Sequence, residues 1–273
     1  MSRFTGRAVL VTGSTGMAGS AARAIAAEGG RVFVASRTGD HARALAEEVV
    51  AAGGVSSWLA ADLAQEADAQ AAVSACVAAF GRLDAVYHVV GISGRRFGDG
   101  PLHAATLEGW ETVMAANAGS LFLVARAAVR RMLEQEPDAD GQRGAILAMS
   151  SALARHPSAV HFATHAYAAS KGAIEALTRA TAASYAPHGI RINAVAPSLV
   201  ATPMSQRAQS DPAILAYLRD KQPLSAGPME ADGVTSVALH LLSRDARMIT
   251  GQVIDVDGGW SLSEPRPAPG AEA

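Results

Sequence analysis

Residues Arg7–Gly19 read RAVLVTGSTGMAG, and the fold turns on how this stretch is understood. Arg7 to Thr12 is a short apolar run rich in β-branched residues, and Gly13 to Gly19 is a glycine-punctuated turn. A helical pattern with Ala22, Ile25 and Ala26 on its apolar side follows. Strand, glycine turn and helix in this order let the backbone approach a pyrophosphate closely. The helix start supplies free N–H groups, and its dipole favours negative charge. Any tight strand-to-helix connection can need a glycine, so the reading depends on what surrounds it.

The same alternation continues along the chain. Arg31 to Ala35 reads as a second strand and ends in Ser36-Arg37 with no acidic residue beside it. A carboxylate there would accept bonds from a ribose diol, whereas an arginine and a small hydroxyl suit a 2′-phosphate. NADP(H) is therefore favoured over NAD(H), the alternative being that Arg37 is a solvated loop charge. Asp40 to Gly53 reads as a helix and Val55 to Ala60 as a third strand, followed by Asp62-Leu63. Asp62 can meet an adenine amino group and can equally cap the helix expected from Gln65 to Phe80, two compatible roles. Leu83 to Val90 is the fourth strand, ending at Gly91, with Ala145 to Met149, Arg191 to Ala196 and Gln252 to Val256 completing the set. The expectation is a single α/β domain with a doubly wound, mainly parallel seven-stranded sheet and helices on both faces.

Composition agrees. The 273 residues are 49% hydrophobic and 18% charged, enough to bury one large core. A formal net charge of −2 gives no footing for nucleic acid or a membrane surface. No apolar run approaches the ~20 residues of a membrane span, and no secretory apolar region is present. A cytoplasmic protein is expected, with small molecules and further copies of itself as partners. Cys76, the sole cysteine, reads as a packing thiol. The domain is expected to span residues 1–262, with Ser263 to Ala273 a disordered tail.

The chemistry is expected at His165–Lys171, HAYAASK, where Tyr167 and Lys171 stand four residues apart on one helix face. An ammonium beside a phenol stabilises the phenolate and lowers its pKa, provided the site excludes water. By itself such a pair is usually a half-buried tyrosine beside a solvated lysine. Other polar residues keep it company. Asn117 falls amid the apolar positions of a helix expected from Thr106 to Leu133; it is either bonded to backbone or holds a water linking the site to solvent. Ser150-Ser151 ends the fifth strand. The loop Gly91 to Gly100 carries Arg95 and Arg96, which either greet an acidic substrate group or are simply solvated. His156, His161 and His165 lack the cysteine or carboxylate neighbours of a metal site, so no metal is expected. Pro197 to Pro203 forms a turn over the ligand, and Ser205 to Lys221 a helical lid.

Taken together, the Thr12 to Gly19 turn, Asp62, Asn117, Ser151, Tyr167 with Lys171, the Arg191 to Thr202 segment and Asp257-Gly258-Gly259 resemble the short-chain dehydrogenase/reductase family over about Gly6 to Trp260. The resemblance implies a Rossmann fold and an oxidoreductase that moves a hydride between the nicotinamide and a carbonyl or secondary alcohol. It implies that Tyr167 is the acid/base, that Lys171 lowers its pKa and bonds the nicotinamide ribose, that Ser151 steadies the substrate oxygen, and that Asn117 holds a relay water. Cofactor contacts would come from Gly13, Ser14, Thr15, Gly16, Met17, Gly19, Ser36, Arg37, Asp62, Leu63, Val90, Gly91, Pro197, Val200 and Thr202, together with Tyr167 and Lys171. Homodimers or homotetramers built on the Thr106 to Leu133 and Tyr167 to Ala186 helices are implied likewise.

Two positions depart from the family pattern. Met17 stands where a glycine is usual, with Gly16 one residue early, and His88-Val89-Val90-Gly91 replaces Asn-Asn-Ala-Gly, so His88 or backbone groups must compensate for the lost amides. These departures keep alive a rival function, a catalytically silent nucleotide-binding sensor or scaffold. The glycine spacing alone suggests an epimerase or dehydratase, against which the lack of a separate substrate domain speaks.

Overall fold

The computed structural model describes residues 2–264; most of the expected tail, residues 265–273, lies outside the described residues. In chain order the elements are β1 (Ala8–Thr12), α1 (Met17–Ala27), β2 (Arg31–Ser36), α2 (Gly39–Ala51), β3 (Val55–Ala60), α3 (Glu66–Phe80) and β4 (Ala85–His88). Then follow α4 (Leu107–Met114), α5 (Ser120–Glu134), β5 (Gly144–Met149), α6 (His165–Tyr185) and β6 (Ile190–Pro197). The chain closes with α7 (Gln206–Ser210), α8 (Pro212–Lys221), α9 (Ala231–Leu242) and β7 (Val253–Val256). All seven strands pair in parallel in the order β3-β2-β1-β4-β5-β6-β7.

Side-chain alternation along the strands builds two cores, one on each face of the sheet. Leu10, Phe33, Val86 and Ile146 pack with Val73 of α3, Val124 of α5 and Ile174 of α6. Val9, Val11, Val32 and Leu147 face the other way, toward Ile25 of α1, Leu45 of α2 and Val234 of α9. Both faces are therefore covered, and β1, β4, β5 and β6 are buried along their whole length. That is why β1, β4 and β5 read as largely apolar runs, while β6 buries Arg191 and Asn193 with their polar groups bonded to backbone carbonyls.

Four expectations need correction. The helix expected from Thr106 to Leu133 is continuous, but a five-residue π turn, Ala115–Gly119, separates α4 from α5. By length and composition Leu107–Glu134 is apolar enough to cross a bilayer, contrary to the expectation from apolar runs; here half of its most apolar window is buried within the fold. The Ser205 to Lys221 lid is two helices, because Pro212 cannot continue α7 and Asp211 caps α8, accepting from Ala213 N at 2.9 Å. Asp62 does not cap α3, which begins after Gln65. Its Oδ1 accepts from Ala64 N at 3.2 Å, and its own N–H donates to Asp68 Oδ2 at 2.7 Å.

Between β1 and β4 the sheet order reverses direction, and such switch points open a crevice beyond the strand ends. Thr12 and His88, the last residues of these strands, are register partners there. Their side chains bond directly, Thr12 Oγ1 to His88 Nδ1 at 3.2 Å, and His88 Nε2 reaches Ser120 Oγ at 3.0 Å. The Ser120 hydroxyl donates to the Ala116 carbonyl at 2.7 Å, and Thr12 Oγ1 accepts from Val89 N at 3.0 Å. Those directions assign the proton to Nε2, with Nδ1 accepting from Thr12. His88 thus supplies the bracing that the sequence demanded of it. Burial, and secondarily the Lys171 charge, pushes its pKa down to about 3, so the ring is neutral at pH 7.

A histidine whose folded pKa lies below its unfolded value binds fewer protons when folded, so stability falls as pH drops from about 6.5 toward 3. His88→Gln should cost on the order of 1–3 kcal/mol at pH 7, through imperfectly paired hydroxyls. The gap from wild type should narrow progressively toward pH 4, as read by urea unfolding at each pH.

Candidate active site

The carboxyl ends of the strands open onto two clefts that run together. The outer trough is lined by Gly13, Ser14, Thr15, Gly16 and Met17 after β1, by Ser36 and Arg37 at the end of β2, by Asp62 and Leu63 after β3, and by Val90 and Gly91 after β4. Gly19 is the exception among the residues expected there. It is buried inside α1, where an added Cβ would meet the Arg23 side chain at 3.2 Å, so its smallness serves packing. The inner cleft is lined by Ser151, Tyr167, Lys171, Pro197, Val200 and Thr202. Met17, Val89, Gly91, Thr202 and Met204 line both clefts, so the trough is continuous.

The turn after β1 needs its glycines for definite reasons. Gly13 has φ of 92° and Gly16 has φ of 54°, both in the region that side chains avoid. A Cβ on Gly16 would come within 2.9 Å of Thr202 Cγ2, so the segment after β6 rests directly on the turn. Met17 begins α1 with no side-chain cap and no acidic residue in the first turn. The helix start is left free for an anion.

Lys171 is 2% exposed, and its Nζ donates to the Met149 carbonyl at 2.7 Å. It lies over the Tyr167 ring, 5.5 Å from the centroid. Burial with a single neutral acceptor pushes its pKa down to about 7. Burial also raises the Tyr167 pKa, against a hydrogen bond from Ser151 that lowers it. The expectation that Lys171 pulls the phenol down is thus not met in the protein alone. The amine sits over the ring face rather than at the hydroxyl, and both groups are desolvated.

Of the two serines after β5, Ser151 faces the cleft with Tyr167, and its hydroxyl accepts from Leu153 N at 3.2 Å. The Ser150 hydroxyl turns to α6, donating to Glu175 Oε1 at 3.0 Å and to the Lys171 carbonyl at 3.3 Å. Asn117 lies in the π turn, fully buried. Its Oδ1 accepts from Ile92 N at 2.7 Å, while Nδ2 donates to Ile92 O at 3.1 Å and to Ser170 Oγ at 2.9 Å. The widened turn points the amide at the loop beyond β4, a common use of π turns. An added Cβ on Gly91 would lie 3.0 Å from Asn117 Oδ1 and 3.4 Å from Lys171 Nζ, so the two atoms share one small space over that glycine.

Several contributors were invisible in the sequence. Asp99, 6% exposed, accepts from the N–H groups of Ala166 and Tyr167 at 3.0 Å each, capping the helix that carries Tyr167 from a loop 67 residues earlier. Only its place in Gly98-Asp99-Gly100 hinted at a special turn. Gln222, fully buried, accepts from Leu199 N at 2.9 Å and donates to Gly227 O at 2.9 Å, tying α8 to the turn over the cleft. Trp260 packs edge-on against Phe162 and Tyr217, with centroids at 5.9 and 5.6 Å, and donates to the His156 carbonyl at 3.0 Å. The expected Arg95 and Arg96 pair separates. Arg95 lines the inner cleft, Arg96 does not, and Arg207 of α7 lines the cleft with Arg95. Cys76 is buried with its thiol pKa pushed up to about 12, which keeps it an unreactive packing group.

Residues 11–261 match a family model described as Enoyl-(Acyl carrier protein) reductase. Momilactone A synthase of Oryza sativa subsp. japonica is 35% identical over 258 residues, covering 93% of this chain and 89% of that protein. The A-factor type gamma-butyrolactone 1'-reductase (1S-forming) of Streptomyces virginiae is 34% identical over 269 residues, covering 95% and 97%. A short-chain type dehydrogenase/reductase from Mycobacterium ulcerans superposes with a TM-score of 0.86 at 28% identity, covering 96% of this chain and 92% of that one.

The buried amine has a measurable signature. A lysine whose folded pKa is near 7 rather than 10.5 binds fewer protons folded than unfolded between those values, so it penalises the folded state most at and below pH 7. Lys171→Met should therefore stabilise the ligand-free protein more at pH 7 than at pH 10, by a difference on the order of a few kcal/mol. Paired unfolding curves at the two pH values read it directly.

Proposed function

The chain belongs to the short-chain dehydrogenase/reductase family of NAD(P)-dependent oxidoreductases acting on alcohol and carbonyl groups, and from this we propose that it is an NADP(H)-dependent carbonyl reductase or alcohol dehydrogenase with Tyr167 as its general acid/base. The observation that carries the reading is the convergence of the Ser151 hydroxyl, the Tyr167 phenol and the Lys171 amine on one cleft that opens into the glycine-lined trough.

The trough suits a dinucleotide. Positive-φ glycines leave the backbone open to close approach, and the uncapped start of α1 favours a pyrophosphate. Ser14, Thr15, Gly16 and Met17 would hold that pyrophosphate, Asp62 and Leu63 the adenine side, and Val90, Gly91, Pro197, Val200 and Thr202 the nicotinamide side. Ser36 and exposed Arg37 stand where a 2′-phosphate would lie, with no carboxylate at the end of β2. A bound nicotinamide would supply or accept the hydride.

In reduction Tyr167, whose pKa burial holds up, gives its proton to the substrate oxygen while the Ser151 hydroxyl donates to the same oxygen. Lys171 lies over the ring face in the protein alone, and its ammonium would stabilise the phenolate that this leaves once nucleotide and substrate are bound. The phenolate would regain its proton through Lys171, with Asn117, which shares the space over Gly91, holding a water that links the amine to solvent. In oxidation each proton moves the other way. We further infer a homo-oligomer, supported by the apolar residues that Leu107–Glu134 leaves exposed, among them Leu107, Trp110 and Phe122.

Turnover of a panel of ketones with NADPH and NADH, followed at the nicotinamide absorbance, is the deciding experiment. Tyr167→Phe should lower kcat by about 10²–10⁴-fold with nucleotide affinity unchanged. Nucleotide binding with no turnover of any carbonyl or alcohol would leave the scaffold function instead. Arg37→Ala should weaken NADPH about tenfold and leave NADH untouched; equal effects on both would refute the NADP(H) preference.

A further inference from the structure

Two guanidinium groups from separate segments share the lining of the reaction cleft. Arg95 comes from the loop between β4 and α4, and Arg207 from α7, just beyond Thr202. These are the permanently charged groups of the cleft, and no aspartate or glutamate is among the described lining residues. The chain as a whole leans the other way, with 25 acidic against 23 basic residues. Like charges gathered in one cleft of a slightly acidic protein concentrate a positive field where a ligand must bind.

The nearby carboxylates are committed elsewhere. Asp99 spends both oxygens on the backbone of α6. Asp211 caps α8 and reaches Arg207 only at 3.9 Å, the outer limit of an ion pair. Arg95 bonds the His161 carbonyl through one nitrogen at 3.0 Å, which fixes its direction and leaves other N–H groups of the fork. Burial first, and then the like charge of Arg207, hold the Arg95 pKa below its ordinary value. The rest of the wall is largely apolar, with Met149, Leu153, Phe162, Leu199 and Trp260.

We propose that the substrate is a carbonyl compound, or the matching alcohol, with an apolar body and an oxyanionic group of the carboxylate or phosphate kind, held between Arg95 and Arg207 while its carbonyl meets Ser151 and Tyr167. This rests on the oxidoreductase reading of the cleft and narrows its substrate class. A planar guanidinium matches both anions in bidentate fashion, so two such groups from separate segments would fix the ligand's far end and draw α7 toward the loop.

The test uses the NADP+-saturated protein and calorimetric titration with 4-phenylbutanoate, 4-phenylbutanamide and phenethyl phosphate. The acid or the phosphate should bind at least about tenfold more tightly than the amide, with the stronger of the two naming the anion, and 0.5 M salt should erode the preference. Arg95→Ala and Arg207→Ala should each reduce it about tenfold, whereas Arg95→Lys should retain part. In turnover, 4-oxo-4-phenylbutanoate should show a lower KM than its methyl ester, and the alanine variants should raise only the former. Equal binding of amide and anions overturns the proposal. So does an Arg207→Ala variant that weakens NADPH while leaving the acid-to-amide ratio intact, since the guanidinium would then serve the nucleotide. Anion preference with no ketone turned over would support the anion site and refute the oxidoreductase reading; ketone turnover blind to charge would do the reverse.

Discussion

A buried amine with one neutral acceptor is the most demanding group in this protein, and much of the surrounding architecture can be read as what it takes to hold Lys171 in place. Its acceptor is the carbonyl of Met149, the last residue of β5, so the ammonium hangs from the sheet's carboxyl edge. Its own carbonyl accepts from Ser150, and Ser170 beside it accepts from Asn117. Asn117 in turn grips both backbone groups of Ile92. Strand, loop, π turn and helix are thereby fastened to one another around a group that pays a desolvation penalty for being there. Polar groups buried this deeply are kept where a reaction needs them preorganised.

Much of this was legible in the sequence, because two periodicities and a few rigid residues carry the signal. All seven strands are legible within a few residues of their ends, the central ones as apolar runs and the edge strands β3 and β7 from their place in the strand–helix alternation. Gly13 and Gly16 were legible because only glycine sits easily at their backbone angles. Tyr167 and Lys171 were legible as a pair, though not in how they interact. Sequence spacing fixes the helix face, whereas the balance between desolvation and charge depends on the other atoms in the cleft. The π turn was hidden because Ala115, Ala116 and Gly119 are equally content in an α-helix, and what widens the turn is Asn117 reaching across to Ile92. The adjacency of Arg95 and Arg96 left open whether either reaches a ligand; only Arg95 lines the cleft, and the placement of α7 that brings Arg207 beside it is a tertiary contact that local sequence does not carry.

The cover of the cleft owes its position to contacts distant in sequence. Trp260, four residues after the last strand, anchors a small satellite core with Ala152, Ala208, Ile214 and Leu218, so α7 and α8 pack on the chain's carboxyl-terminal segment. Gln222 and Ser198 add hydrogen bonds at the hinge, the latter donating to the Asp257 carbonyl at 2.9 Å. Asp257 itself accepts from Gly259 N and Ser261 N at 2.9 and 2.8 Å, which folds the segment back. The two helices are thus joined to the body through a compact aromatic node, and Thr202 and Ser205 close the entry to α7 with a reciprocal capping box.

The carboxylate of Asp99 has a mechanical meaning. By taking the second and third amides of α6, it welds the wall that carries Arg95 to the helix that carries Tyr167. A molecule that shoulders this wall aside would tug the phenol off its line of attack, whereas one that seats without strain leaves it aimed. Selectivity in such an arrangement is expressed as alignment: a poor ligand is held nearly as well as a good one and simply reacts more slowly.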